Sequence, residues 1–248
     1  MLAIIGGSGL TSLANLDIRR RHVVPTPYGE PSGPLVFGTI RGREVIFLSR
    51  HGEGHTIPPH EVNYRANIWA LHSAQAQDIV SIASVGGIRS DLAPGALALP
   101  DQIIDYTHGR ESTFFGGTKR RVTHIDFTRP YCESLRQRLL QAAAKAEEAV
   151  VDGGTYATTQ GPRLETAAEI NRLERDGADM VGMTAMPEAA LAREQGLCYA
   201  ALAVVVNHAA GRGSSGQAVC LDDVFAVAQA AMVRVHRILG CLVVLDGN

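Results

Sequence analysis

The chain has 248 residues, of which 46% are hydrophobic and 19% charged, with a formal net charge of −2. That composition supplies a sizeable core and gives no electrostatic reason to expect nucleic acid or an anionic membrane as a partner. The four cysteines, Cys132, Cys198, Cys220 and Cys241, are widely spaced and form no CxxC pair, so reduced thiols in a cytoplasmic protein are the expectation.

The first apolar run, residues 2–5, reads as a strand and carries neither a basic leader nor a cleavage site, so no signal peptide is expected. It runs directly into Gly6-Gly7-Ser8-Gly9-Leu10. Glycines there let backbone N–H groups approach an anion, and Ser8 adds a hydroxyl. The turn lacks the lysine of a P-loop and does not match GxGxxG. Residues 35–40 and 45–48 read as strands joined by a hairpin turn at 41–43. The second strand ends in Ser49-Arg50-His51-Gly52. Arg50 offers a fork of donors matched to phosphate oxygens, and His51 can add another donor; an arginine paired with a surface carboxylate is the plainer alternative.

Further along, 62–75 reads as a helix, and 79–83 as a buried strand entering Ser84-Val85-Gly86-Gly87. Residues 97–104 read as a strand interrupted by Pro100, and 129–149 as a long helix with Leu135, Leu139, Leu140 and Ala143 on one face. A strand at 155–159, a helix at 165–176 stopped by Gly177, a short strand at 180–183 and a helix at 187–195 led by Pro187 follow. The strand 197–206 and a helix at 222–239, with Asp222 as its cap, complete the order. No uninterrupted apolar stretch reaches about 18 residues, so no membrane span is expected. Strands alternating with helices imply a largely parallel α/β sheet in one domain, residues 1–248. The stretches 23–33, 52–60, 107–121 and 209–217 are long enough to be binding loops.

The chemistry gathers at strand ends. Ser8, Arg50 with His51, Ser84 and Thr184 each follow a strand, and together they make a plausible phosphate cradle of hydroxyls and one fixed cation. Asn207 follows the strand 197–206, where a ligand crevice opens in an open α/β sheet. Its uncharged amide presents donor and acceptor side by side, which suits O6 and N7 of a 6-oxopurine; a carboxylate there would instead accept from a 6-amino group. An asparagine that merely shapes a turn is the alternative. His51, His55 and His60 raise the question of a metal. Gly52 and Gly54 make a helix there unfavourable, however, so the paired-histidine geometry of a zinc helix is not expected. GxSxG is absent, which argues against a serine hydrolase.

The segments IIGGSGL at 4–10, SRHGEGHTIPPHEVNYRANIWAL at 49–71, VGGIRSDLAPG at 85–95, TQGPRLETAAEI at 159–170 and GMTAMPEAALARE at 182–194 are specific when taken together. Across nearly its whole length the chain resembles the methylthioadenosine phosphorylase branch of the purine nucleoside phosphorylase family. The resemblance implies an α/β fold with a mixed, partly barrel-like sheet flanked by helices. It also implies a homotrimer with active sites at subunit interfaces, and inorganic phosphate as co-substrate with no metal or organic cofactor.

By position, the resemblance places phosphate at Ser8, Arg50, His51, Ala83, Ser84 and Thr184, and the ribose over Met183. His124 resembles a residue lent by the neighbouring subunit to the 5′ end of the nucleoside. Val219 and Leu221, with Phe225, resemble an apolar wall for a 5′-methylthio group. Glu165, Asn207, Ala209 and Val219 stand where specificity is set, and Asn207 is the candidate for stabilising the departing purine. Adenosine-type members carry Asp at the positions matching Asn207 and Ala209. The departure here resembles the branch that cleaves S-methyl-5′-thioinosine. A general inosine and guanosine phosphorylase, a methylthioadenosine phosphorylase and a non-catalytic nucleoside-binding module are the alternatives.

Overall fold

The structure, a computed structural model, describes residues 1–10, 13, 15–117 and 122–245; residues 118–121 of the expected loop at 107–121 lie outside them. The first half of the chain forms β1 (Leu2–Gly6), β2 (Asp17–His22), β3 (Leu35–Ile40), β4 (Arg43–Ser49), α1 (Tyr64–Ser73), β5 (Asp78–Gly87), β6 (Leu97–Leu99) and β7 (Gln102–Asp105). The second half forms α2 (Glu133–Lys145), β8 (Val151–Asp152), β9 (Thr155–Thr158), α3 (Ala167–Arg175), β10 (Met180–Gly182), α4 (Ala185–Glu194), β11 (Cys198–His208) and α5 (Leu221–Leu245).

The strands join in one mixed sheet of order β2-β3-β4-β1-β5-β10-β9-β7, which forks at β5: β11 also pairs with β5 and carries β6 and then β8. β1 is parallel to both β4 and β5, and β5 is parallel to β11. Their carboxyl ends therefore share one rim, with Gly6 opposite Ser49 and Asn207 opposite Gly86. β10 runs antiparallel to β5, pairing Met180 with Gly87 and Val181 with Gly86. It thereby delivers Met183 and Thr184 to the same rim from the opposite direction.

These strands are continuous apolar runs because helices cover both faces of the sheet. Leu2 and Ile4 of β1 pack into a core shared with α2 and α5, through residues such as Leu135, Leu139, Val235 and Ile238. Ala3 and Ile5 pack into the opposite core with Ile68 and Leu71 of α1 and Leu191 of α4. The alternation is the two-residue period of a strand.

Several expectations are corrected. β2 was not foreseen: every residue of DIRRRH is exposed, so no apolar pattern marks it, and it lies at the sheet edge with β3 as its strand partner. The run 97–104 divides at Pro100 into β6 and β7, which pair with different neighbours. α4 starts before Pro187 and is kinked at Met186, whose φ and ψ are −113° and 137°. α5 begins at Leu221, so Asp222 lies in its first turn and is not its cap. α5 is also long and apolar enough to cross a membrane by length and composition. Its apolar face is instead a wall of the core, with Val235, Ile238, Leu239 and Leu242 fully buried.

The thiols are a further correction. Cys132 and Cys198 form a disulfide with their Cα atoms 5.2 Å apart. Cys132 caps α2 and Cys198 opens β11, and the Cys132 N–H donates to the Tyr199 carbonyl at 2.8 Å, which brings the two elements together. Cys220 is free and exposed; Cys241 is free and buried.

Candidate active site

A cavity of about 640 Å³ opens at the shared rim. Ser8, Arg50, His51, Ala83, Ser84 and Thr184 all line it, as do Glu165, Met183, Asn207 and Ala209, and Val219, Leu221 and Phe225. Residues from seven separate segments of the chain are thus brought together. His124 is not among them: it is exposed and lies outside the cavity of its own chain.

On one side the Gly6–Gly9 turn crosses the ends of β1 and β5. A Cβ on Gly7 would fall 2.5 Å from the Ile82 carbonyl oxygen and 2.8 Å from Arg50 Nη1, so this approach requires glycine. Ser84 Oγ donates to the Ser8 carbonyl at 3.1 Å, tying the turn to β5. Ser8 Oγ lies 3.3 Å from His55 Nε2. Thr184 is the N-cap of α4; its side chain makes no capping bond, and the residue lines the cavity.

Arg50 departs from expectation. Its guanidinium does not present an open fork, since the side chain is fully buried and grips Glu188 of α4. Nε donates to Glu188 Oε2 at 2.7 Å, Nη2 to Oε1 at 2.9 Å and to Ser81 Oγ at 2.6 Å, and Nη1 to the Ile82 carbonyl at 3.1 Å. Burial by itself would lower the Arg50 pKa. The charge and hydrogen bonds of Glu188 outweigh burial and hold it above the ordinary arginine value. Arg50 thus has a carboxylate partner, and that partner lies in the core and not at the surface.

His51 also differs from the donor expected of it. Nδ1 lies 2.8 Å from the Ile57 carbonyl oxygen, so it carries the proton and donates. The Nε2 of the neutral ring is then an acceptor. Burial first, and the Arg50 charge second, push the imidazole pKa down to about 4.

On the other side, β11 continues past Val206, and its register shifts between Val205 and Asn207, a bulge that re-aims the strand end. Asn207 therefore sits within the strand and not in a turn after it. Its Nδ2 donates one hydrogen to the His208 carbonyl at 2.6 Å, leaving the second N–H and Oδ1 free. Glu165 accepts from Thr159 Oγ1 at 2.6 Å, and burial raises its carboxyl above the usual range. Ala209 is 1% exposed, a methyl group where a second carboxylate could stand. At the mouth Leu221 and Phe225 remain 58% and 61% exposed, large apolar side chains at the opening of a polar site.

Two supporting residues escaped the sequence reading. Glu188 had a signal, being the lone carboxylate in the small-residue run AMPEAALA, where a buried acid demands a cation. Arg110 had none. From its long loop it donates to the carbonyls of Met183 at 2.8 Å and Met186 at 2.6 Å, and to those of Thr159 at 3.2 Å and Gln160 at 2.9 Å. It thereby clamps the segment bearing Met183 to the segment leading to Glu165. His51 and His55 lie 4.6 Å apart, centroid to centroid, and among the described residues no group of three or more His, Cys, Asp or Glu is placed to hold a metal ion.

A cavity at the rim of parallel strands, hydroxyl-lined on one side and faced by an amide and a carboxylate on the other, is suited to holding an anion against a polar ring. The sequence profile described as "Phosphorylase superfamily" matches residues 1–243, and the chain belongs to that family. It is 57% identical over 213 residues to a probable S-methyl-5′-thioinosine phosphorylase of Pseudomonas syringae pv. tomato, covering 86% of this chain and 87% of the relative. A protein of the same description from Xanthomonas campestris pv. campestris is 51% identical over 239 residues, 96% of this chain and 95% of that one. Among solved structures, methylthioadenosine phosphorylase from Schistosoma mansoni in complex with adenine superposes with a TM-score of 0.94 at 37% identity, covering 99% of this chain and 91% of that one.

Proposed function

We propose that this protein cleaves S-methyl-5′-thioinosine by phosphorolysis, giving hypoxanthine and 5-methylthioribose 1-phosphate. The observation that carries the reading is the pairing of Asn207 with Glu165 across one cavity in which Ala209 supplies no second acid. A 6-oxopurine offers O6 and N7 as acceptors and N1–H as a donor. The free N–H of Asn207 suits O6, its Oδ1 suits N7 once the departing base is protonated there, and an ionised Glu165 suits N1–H. A 6-aminopurine reverses the pattern at N1 and at the 6-position, which sets a lone pair against a carboxylate and leaves the amino group without an acid.

Phosphate is the nucleophile, so no side-chain nucleophile is needed. Its oxygen attacks C1′ as the C1′–N9 bond breaks, the sugar gathers positive charge, the purine takes the electron pair, and solvent water supplies the proton that N7 gains. The protein's part is to place phosphate under the sugar and to stabilise the leaving base. Ser8, Ser84 and Thr184 supply hydroxyls, Ala83 a close-fitting wall and Arg50 a fixed charge behind it, while Met183 floors the ribose. The Nε2 of His51 accepts from a protonated phosphate oxygen. Val219, Leu221 and Phe225 receive the methylthio group, which separates this reading from a general 6-oxopurine phosphorylase. The protein works as a homotrimer, in which the exposed His124 serves the 5′ end of a neighbour's nucleoside.

The test is a panel of methylthioinosine, methylthioadenosine, inosine and guanosine, each with and without phosphate. Phosphate-dependent release of hypoxanthine, fastest from methylthioinosine, is expected. Base release without phosphate, or no release at all, defeats the reading; faster turnover of inosine moves the protein to the general phosphorylase. Light scattering checks the trimer, and a fully active monomer would dismiss it.

A further inference from the structure

Among the described residues Glu188 is the one carboxylate that is completely buried, with 0% exposure. It accepts from Arg50 Nε and Nη2, from Ser81 Oγ at 2.8 Å and from Tyr199 OH at 2.8 Å. With the bonds of Arg50 to Ser81 and to the Ile82 carbonyl, four of the five guanidinium hydrogens are engaged. The fifth, on Nη1, belongs to the nitrogen that lies where Gly7 has no side chain. Glu188 is also in the first turn of the helix whose N-cap is Thr184. One carboxylate thus joins the helix that begins with Thr184 to the strand ends that carry Arg50 and Ser81.

We infer that Glu188 is a positioning residue for phosphate. By gripping Arg50 it aims the one free guanidinium N–H toward the Gly7–Ser8 turn and keeps Thr184 in register with it. The inference rests on the phosphorolysis reading. Glu188 does not touch phosphate; it acts through Arg50 and through the start of α4. Two-point capture of a planar guanidinium suits this task, because it fixes orientation as well as distance. A purely structural role would lower stability and leave the balance between the two substrates untouched.

The experiment compares the KM for phosphate with the KM for nucleoside in Glu188→Gln, Arg50→Met and the double variant Arg50→Met/Glu188→Met, alongside calorimetric titration with inorganic phosphate alone. Glu188→Gln is expected to raise the phosphate KM about tenfold or more while the nucleoside KM stays within about twofold. The double variant replaces a buried ion pair by apolar groups, an exchange folds tolerate. Its phosphate affinity should equal that of Arg50→Met alone, since nothing is left for Glu188 to position. A phosphate KM unchanged in Glu188→Gln, an equal rise in both KM values, or additive losses in the double variant would overturn the inference. If Glu188→Gln or Arg50→Met does not fold, Glu188→Asp, which keeps the charge and shortens its reach, is measured in the same way: a rise in the phosphate KM alone supports the inference, and an unchanged phosphate KM overturns it. If the wild type releases no base in phosphate, the proposed reaction fails instead, and the calorimetric series still reads the role of Glu188.

Discussion

Thr159 donates its hydroxyl to Glu165 Oε1 at 2.6 Å, and this bond holds the carboxylate at the edge of the cavity against the cost of its burial. The two effects oppose each other. Burial raises the Glu165 pKa, and the Thr159 hydroxyl pulls it back down.

The first prediction follows from that sign. The ionised form is the one that accepts N1–H, so kcat/KM for a 6-oxopurine nucleoside should fall as pH drops through the raised Glu165 value. Thr159→Val removes the lowering contact and should move that acid limb to higher pH. Glu165→Gln should abolish the limb and lower kcat/KM at neutral pH by about ten- to hundredfold, because a neutral amide oxygen replaces the charge-assisted acceptor of N1–H. An acid limb that persists in Glu165→Gln would assign it to another group.

Base choice should turn on Asn207. Methylthioinosine is expected to exceed methylthioadenosine in kcat/KM by at least about tenfold, roughly 1.4 kcal/mol. Asn207→Asp should erode that preference. Good use of the 6-amino substrate should need Ala209→Asp as well, because the buried Ala209 methyl leaves the second acceptor missing. Side-by-side kinetics on the two nucleosides check this, and equal turnover by the wild type would refute the role of Asn207.

Arg50→Ala should damage the fold as well as phosphate use. It strands Glu188 as an unpaired buried acid, and breaking such a pair typically costs about 3–5 kcal/mol. Denaturant unfolding of the variant reads the loss; a variant as stable as the wild type at neutral pH would contradict it.

The Cys132–Cys198 bridge spans a sequence separation of 66. A loop of that size constrains the unfolded chain by about 4 kcal/mol on the chain-entropy account. Cys132→Ser/Cys198→Ser should therefore unfold at markedly lower denaturant than the oxidised wild type, and the reduced wild type should behave like the variant. Activity well below the transition should persist, because neither cysteine lines the cavity. Coincident unfolding curves for oxidised and reduced wild type would dismiss the bridge as a stabiliser.

Much of this protein was legible in its sequence, for a local reason. β1, β5 and β11 are buried on both faces, so each is a near-continuous apolar run, and each hands over to polar or glycine residues where it meets the rim. With β4 and β10 read the same way, Ser8, Arg50 and Thr184 fall just past their strands, while Ser84 and Asn207, read as following theirs, lie within the last few residues of β5 and β11. The glycine turn at 6–9 was equally readable, since close backbone approach leaves glycine as its mark.

Tertiary structure alone decided the rest. The carboxylate that Arg50 grips lies 138 residues away, and the cysteine that Cys132 meets lies 66 away. The carbonyls that Arg110 clamps belong to two other segments. Periodicity records whether a residue is buried and not which distant partner buries it. The exposed strand β2 carries no such record, and the bulge at Asn207 arises from the mismatch of two strands. The sequence by itself determined which side chains reach the rim; the pairing of the strands determined that they share one cavity, and which of their hydrogen bonds are left for a ligand.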